Sequence, residues 1–159
     1  MPSRRLKQCL DSHGISYTRI DHSPAYTAQE IAHASHISGK NIAKTVISKV
    51  NGEMAMIVLP ASDMVVLDFL RDALDTKDVE LATESEFRDR FPECELGAMP
   101  PFGNLFEMET FVSERLTHDN QIAFNSGTHT ELVQMSYQDF AQLVTPRVIR
   151  LSYADSALM

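Results

Sequence analysis

A chain of 159 residues with 43% hydrophobic content is long enough to close one core, since a domain of about 150 residues buries close to 70% of the surface its unfolded chain exposes. No apolar run of signal-peptide length follows the basic start, and no stretch approaches the roughly 18 apolar residues that cross a bilayer, so a cytoplasmic protein with no membrane partner is expected. A net charge of −8 argues against a broad nucleic-acid footprint, which needs a basic face to release counterions, while Arg4, Arg5, Lys7, Lys40, Lys44 and Lys49 leave room for a small one.

Ser3 is placed to cap a first helix carrying Leu6, Cys9 and Leu10, with Gly14 as its stop. Residues 15–20 alternate as an edge strand does. Thr27-Ala28-Gln29-Glu30 has the form of a capping box, which predicts a helix to about His36. From Asn41 the period drops to two: Ile42, Lys44, Val46, Ser48 and Val50 share one face, and Ala43, Thr45, Ile47 and Lys49 the other. Asn51-Gly52 predicts a tight hairpin, with residues 54–59 returning. After Pro60, Ser62 or Asp63 is expected to cap a helix with Val65, Val66, Phe69 and Leu70 on one stripe. Leu81 belongs to a short strand, and Thr83-Glu84-Ser85-Glu86 is a second capping box whose helix ends near Phe91-Pro92. Residues 105–112, 121–125 and 131–135 read as strands, Ser136 caps a helix through Leu143, and 147–151 adds a last strand. Residues 152–159 read as a loose tail. The mixture lacks the steady strand–helix alternation of a doubly wound sheet, and nothing in it marks a linker. It predicts one α+β domain over 1–159 with its core at about 6–151.

Several residues could carry chemistry. In Gly97-Ala98-Met99-Pro100-Pro101-Phe102-Gly103 two glycines bracket a proline pair, which makes a stiff loop. The N–H groups left on Gly97, Ala98, Met99 and Gly103 can point at a small polar ligand, although the same pattern also makes a plain surface turn. Met99 stands where it could select a substrate, and the other methionines read as core filler. Ser126-Gly127-Thr128 offers consecutive N–H groups and two hydroxyls at a strand end, and His129 beside it either binds or simply orders the turn. Lys44 shares a face with Ile42 and Val46. If that face points inward its ammonium is partly desolvated; otherwise the head snorkels to water. His33 and His36 lie at i and i+3 without a further ligand at metal spacing, so no metal is expected. Cys9 and Cys94 form no C-x-x-C pair and read as reduced thiols.

Taken in order, Asp21-His22-Ser23-Pro24, Thr27-Ala28-Gln29-Glu30, Ala43-Lys44-Thr45, the glycine–proline loop, Asn125-Ser126-Gly127-Thr128-His129 and Tyr137-Gln138-Asp139-Phe140 resemble the YbaK-type, prolyl-tRNA-synthetase-associated editing domains over roughly residues 6–144. The resemblance implies a mixed, partly closed, barrel-like sheet with helices packed outside. It implies an aminoacyl-tRNA deacylase that cleaves the ester of mischarged tRNA, here tRNA(Pro) carrying a wrong small amino acid, with the acceptor end of the tRNA and prolyl-tRNA synthetase as partners and no cofactor. Lys44 would be the catalytic residue, with a ribose hydroxyl of the tRNA assisting. Tyr17, His22, Tyr26 and Thr27 would line the amino-acid side chain, and Gly97, Ala98, Met99, Pro100, Pro101 and Gly103 together with Ser126, Gly127, Thr128 and His129 would hold the ester and the terminal ribose. One departure is expected to alter specificity or weaken activity: Ser113 stands where an aspartate is usual, with Glu107 and Glu109 in place of Gly and Pro. The rival readings are a non-catalytic module that binds tRNA or a synthetase, and a pocket for a small nucleotide or amino-acid derivative.

Overall fold

The computed structural model describes residues 3–158. In chain order the elements are α1 (Arg4–Ser12), β1 (Tyr17–Asp21), α2 (Ala28–Ser35), β2 (Ile42–Val50), β3 (Glu53–Pro60), α3 (Leu67–Leu74), β4 (Val79–Leu81), α4 (Glu84–Phe87), β5 (Glu109–Ser113), β6 (Gln121–Asn125), β7 (Glu131–Ser136), α5 (Tyr137–Val144) and β8 (Arg147–Ile149), with short 3-10 turns between them. The strands form one mixed sheet in the order β1-β7-β6-β2-β3-β5-β8, with β4 beside β2. Hydrogen bonds do not close it into a barrel, so the α+β, partly closed architecture holds. None of the described helices is long and apolar enough to cross a membrane.

The β2–β3 hairpin is the sheet's axis. Asn51 and Gly52 both take positive φ, 53° and 83°, as a two-residue turn that follows the natural strand twist requires. One face of the curved sheet buries Ala43, Ile47, Met56, Val58, Val112, Ile122, Phe124 and Val133 with Phe91, Phe102, Phe106 and Phe140. The other face carries two smaller clusters, Ile57, Leu59, Phe111 and Leu151 with Leu70 of α3, and Ile42, Ala61, Ala123 and Leu132 with Ile31 of α2. Alternation puts Lys44 on this second face, between Ile42 of one cluster and Val46 of the other.

Both capping boxes form, Thr27 with Glu30 and Thr83 with Glu86. Three expectations fail for identifiable reasons. The helix after Pro60 begins only at Leu67, because the Asp63 carboxylate is taken by Arg115 at 2.9 and 3.0 Å instead of capping. The strand expected over 105–112 is a 3-10 turn, Gly103–Phe106, followed by Glu107 at φ 59° and the shorter β5. The Met108 N–H reaches back to the Gly103 carbonyl at 2.9 Å and closes that turn. Residues 152–155 are no loose tail: Ser152 and Asp155 are buried, and a 3-10 turn runs Tyr153–Leu158.

Candidate functional site

Lys44, the third residue of β2, is half-buried, and its ammonium makes no hydrogen bond or ion pair among the described residues. Burial pushes its amine below the ordinary lysine range, and the nearby negative charge of Asp63 offsets this only in part. Parallel pairing sets Ala43 opposite Phe124, so the next residues, Lys44 and Asn125, leave the paired stretch together. Alternation gives them the same face.

The turn that follows Asn125 is held against the glycine–proline loop. His129 donates its backbone N–H to Glu95 Oε1 (2.8 Å) and its ring Nε2–H to the Leu96 carbonyl (2.8 Å). Glu95 also donates its N–H to the Gly127 carbonyl (2.8 Å) and accepts from Ala98 (3.0 Å). Gly97, at φ 87°, packs on the imidazole so closely that a Cβ there would lie 3.4 Å from His129 Cε1. On the far side of the turn His22 donates its N–H to Thr130 (2.8 Å) and Ala25 to His129 (3.1 Å), and the exposed Tyr26 ring rests on the His129 ring, centroids 4.6 Å apart.

Because the partner of His129 Nε2 is a carbonyl, which only accepts, Nε2 carries the proton and neutral His129 keeps an acceptor at Nδ1. That Nδ1 is buried and unpartnered. His22 repeats the pattern, with Nδ1–H on the Ser23 carbonyl at 2.7 Å and Nε2 buried without a partner. Asn125 Oδ1 is also buried and unpartnered, as is Thr45 Oγ1 on the opposite face of β2 from Lys44. Polar atoms are normally shielded from water only when paired. The roomier surface clefts lie elsewhere, one of about 720 Å³ between the β2–β3 turn, Arg90 and Glu109, so the candidate site is a group of shielded atoms, not an open bowl.

Other expected site residues are placed differently. Tyr17 sits at the opposite end of β1 from the turn, and its hydroxyl donates to Asp11 at 3.0 Å. The Thr27 hydroxyl accepts the Glu30 N–H of its helix cap (3.1 Å). Ala98, Met99, Pro100, Pro101, Phe102 and Gly103 are buried, and Met99 belongs to the main core instead of facing a substrate. The loop's N–H groups are largely used: Ala98 by Glu95, Gly103 by Thr110 Oγ1 (3.1 Å) and Gly97 by the Met99 sulfur (3.2 Å). Of these, the last, on a weak thioether acceptor, is readily exchanged for a ligand oxygen, while the N–H of buried Met99 has no hydrogen bond among the described residues. Ser126 is fully buried with its hydroxyl donated to Glu131 Oε1 at 2.8 Å, and Gly127 is packed against Ser3 and Cys94. Thr128 turns its hydroxyl to Thr130, 3.3 Å away. His33 and His36 are exposed, and among the described residues no three His, Cys, Asp or Glu gather as a metal site. Cys9 and Cys94 are free thiols, Cys94 being pushed up to about 11 chiefly by burial.

A family model described as the aminoacyl-tRNA editing domain matches residues 22–143. The chain belongs to the aminoacyl-tRNA editing domain family. It is 26% identical over 141 residues, 85% of each chain, to the prolyl-tRNA editing protein ProX of Acetoanaerobium sticklandii. Solved structures share its fold at low identity. One is described as a candidate trans-editing enzyme for prolyl-tRNA synthetase (TM-score 0.79, 19% identical, 94% of this chain and 95% of that one). Another is the hypothetical protein APE2540 (TM-score 0.83, 18% identical, 94% and 99%).

The sequence of this editing domain gives no sign of Glu95, which ties the two loops, or of the pairing of Asp63, expected as a helix cap, with Arg115. Nothing local marks them, because each acts across more than 30 residues of chain. Asn125 carries a faint signal, being the polar end of a strand whose middle, Ile122–Phe124, is buried.

Proposed function

We propose that this editing domain is a deacylase that hydrolyses the ester between tRNA and a wrongly attached small amino acid, acting on the acceptor end of tRNA(Pro) charged in error by prolyl-tRNA synthetase. The observation that carries the reading is Lys44, a half-buried ammonium without a hydrogen bond or ion pair among the described residues, on the strand that runs beside β6. An unpaired, partly desolvated cation lacks the compensation that buried charge ordinarily has, and an ester oxygen that gains negative charge would supply it. Water adds to the carbonyl carbon, the carbonyl oxygen takes up the negative charge, and the carbon–oxygen bond to the ribose then breaks. The ribose oxygen leaves with one proton of the water, the amino acid leaves as its carboxylate, and the second proton passes to solvent. Lys44 faces the developing oxyanion. The bare acceptors on His22, His129 and Asn125 suit ribose hydroxyls and the substrate's amino group, which are donors. A ribose hydroxyl next to the ester can assist the water.

Proofreading is a sensible use for such a site, because a hydrophobic pocket separates substrates that differ by one methylene only about 10- to 200-fold. The net charge of −8 fits a small RNA footprint. The similarity to ProX supports the choice of tRNA. The test is deacylation of tRNA(Pro) charged with alanine, cysteine or serine. Wild type is expected to turn over at least one of them and Lys44→Ala to do so about 10²–10³-fold more slowly; equal rates in both proteins would remove the reading.

One observation favours the rival, a binding module without turnover: the loop N–H groups on Ala98 and Gly103 are already bonded and provide no oxyanion cradle. In that case charged tRNA binds, its affinity falls steeply with salt, and its ester outlives the complex.

A further inference from the structure

The carboxylate of Asp155 is fully buried and joins two parts of the chain. It accepts the N–H groups of Leu151 (2.7 Å) and Ser152 (3.2 Å) from its own segment. From the end of β5 it accepts the Ser113 hydroxyl (2.5 Å) and the Arg115 N–H (3.2 Å). Arg115 grips both oxygens of Asp63, and the Ser152 hydroxyl reaches Asp63 Oδ2 at 3.5 Å. The segment bearing Asp63 is pinned to the start of the lysine strand, since Ala61 donates its N–H to the Ile42 carbonyl at 2.7 Å.

We propose that Asp155 is a positioning residue of the editing site: by fixing the turn that carries Arg115, it keeps Asp63 engaged with Arg115 and away from the Lys44 ammonium. Arg115 Nη1 lies against both oxygens of Asp63 and the Ser152 hydroxyl approaches Oδ2, so the carboxylate is held on that side by a charge-assisted hydrogen bond. Lys44 therefore senses the charge of Asp63 without being paired to it, and stays available to an ester. If Arg115 is displaced, Asp63 is free to close on Lys44 and occupy it. Among the described residues Asp63 is the charged group acting on Lys44, and Arg115 and Asp63 are those next to Asp155. The rate readout of this inference rests on the deacylase reading; the lysine titration below does not.

The decisive pair is Asp155→Asn alone and together with Ser113→Asp. Ser113 Oγ is 2.5 Å from the Asp155 carboxylate and accepts the Arg115 N–H at 3.3 Å. An aspartate at 113 thus delivers a carboxylate to the same place and caps the turn as well as serine does. Asp155→Asn is expected to slow deacylation on the order of ten- to a hundredfold and to move the Lys44 titration, followed by NMR of the labelled side chain, to higher pH. The double variant is expected to restore both. A folded Asp155→Asn protein with wild-type titration overturns the proposal, as does a double variant that melts like wild type yet recovers neither property. Should Asp155→Asn not fold, Arg115→Gln, which takes the cation away from Asp63, is expected to raise the Lys44 titration; no shift there overturns the proposal too. A wild type without turnover sinks the deacylase reading only, and the titration still decides the role of Asp155.

Discussion

The buried half of the glycine–proline loop and the turn bearing His129 touch through Gly97, yet that loop and the polar groups at Lys44, His22, Asn125 and His129 are built on opposite rules. From Ala98 to Gly103 the chain is packed to the limit. Prolines replace two N–H groups, Glu95 and Thr110 take two more, and Gly103 admits no side chain at all. By contrast, the Lys44 ammonium is half-buried and unpaired, and two imidazole nitrogens, on His22 and His129, and the Asn125 amide oxygen are shielded and unpaired. Each unpaired buried polar atom costs about 1–3 kcal/mol, so folding gains nothing from that arrangement. The contrast separates a scaffold, where most polar groups are satisfied within the chain, from groups whose partners must come from a ligand.

The largest effect that tests this contrast belongs to Lys44. Lys44→Ala should cut the deacylation rate by about 10²–10³-fold, the usual loss when one donor to a developing oxyanion is removed, while thermal unfolding stays near wild type. A variant that loses stability along with rate would make Lys44 part of the scaffold after all. Gly103→Ala probes the other side. Its Cβ would sit 2.2 Å from Thr110 Oγ1 and 2.6 Å from the Met108 carbonyl, and backbone on that side cannot give way. We expect a loss of about 3 kcal/mol in denaturant unfolding, at the upper end for overpacking, with normal catalysis in whatever fraction folds. Next comes Ser126→Ala, which removes a buried hydrogen bond to the Glu131 carboxylate. The loss should be about 2 kcal/mol, with the kcat/KM of the folded protein unchanged. A selective fall in kcat/KM would return Ser126 to the substrate.

What the chain reveals of itself follows the range of the interaction. The hairpin at Asn51-Gly52, the boxes at Thr27 and Thr83 and the alternation that places Lys44 are local, and each is legible because four to eight consecutive residues determine it. Whether an N–H group in the 97–103 loop is free is not legible. The answer depends on Thr110, Glu95 and the Met99 sulfur folding back on it, and the pattern of glycines and prolines is the same in either case. Asp63 misleads for a related reason: it looks like a helix cap until Arg115, 52 residues on, claims it. Ser113 reads as a lost carboxylate, because nothing local shows that Asp155 brings one to the same spot.

The smallest expected effect has the least expected sign. The folded-state pKa of Lys44 lies below its ordinary value of 10.5, chiefly through burial, so between those two values the unfolded chain holds more protons than the folded one. Stability therefore rises with pH across that interval, and at neutral pH the full penalty of the buried charge is present. Lys44→Met keeps the stem and removes the charge. It should raise stability at pH 7, by no more than about 1 kcal/mol because water still screens half of the group, and the alkaline rise in stability seen in wild type should flatten. Urea unfolding at pH 7 and at alkaline pH reads both. A Lys44→Met protein less stable than wild type at pH 7 would mean that the ammonium has a structural partner, and the division between a satisfied loop and an unsatisfied surface would no longer hold at its most informative residue.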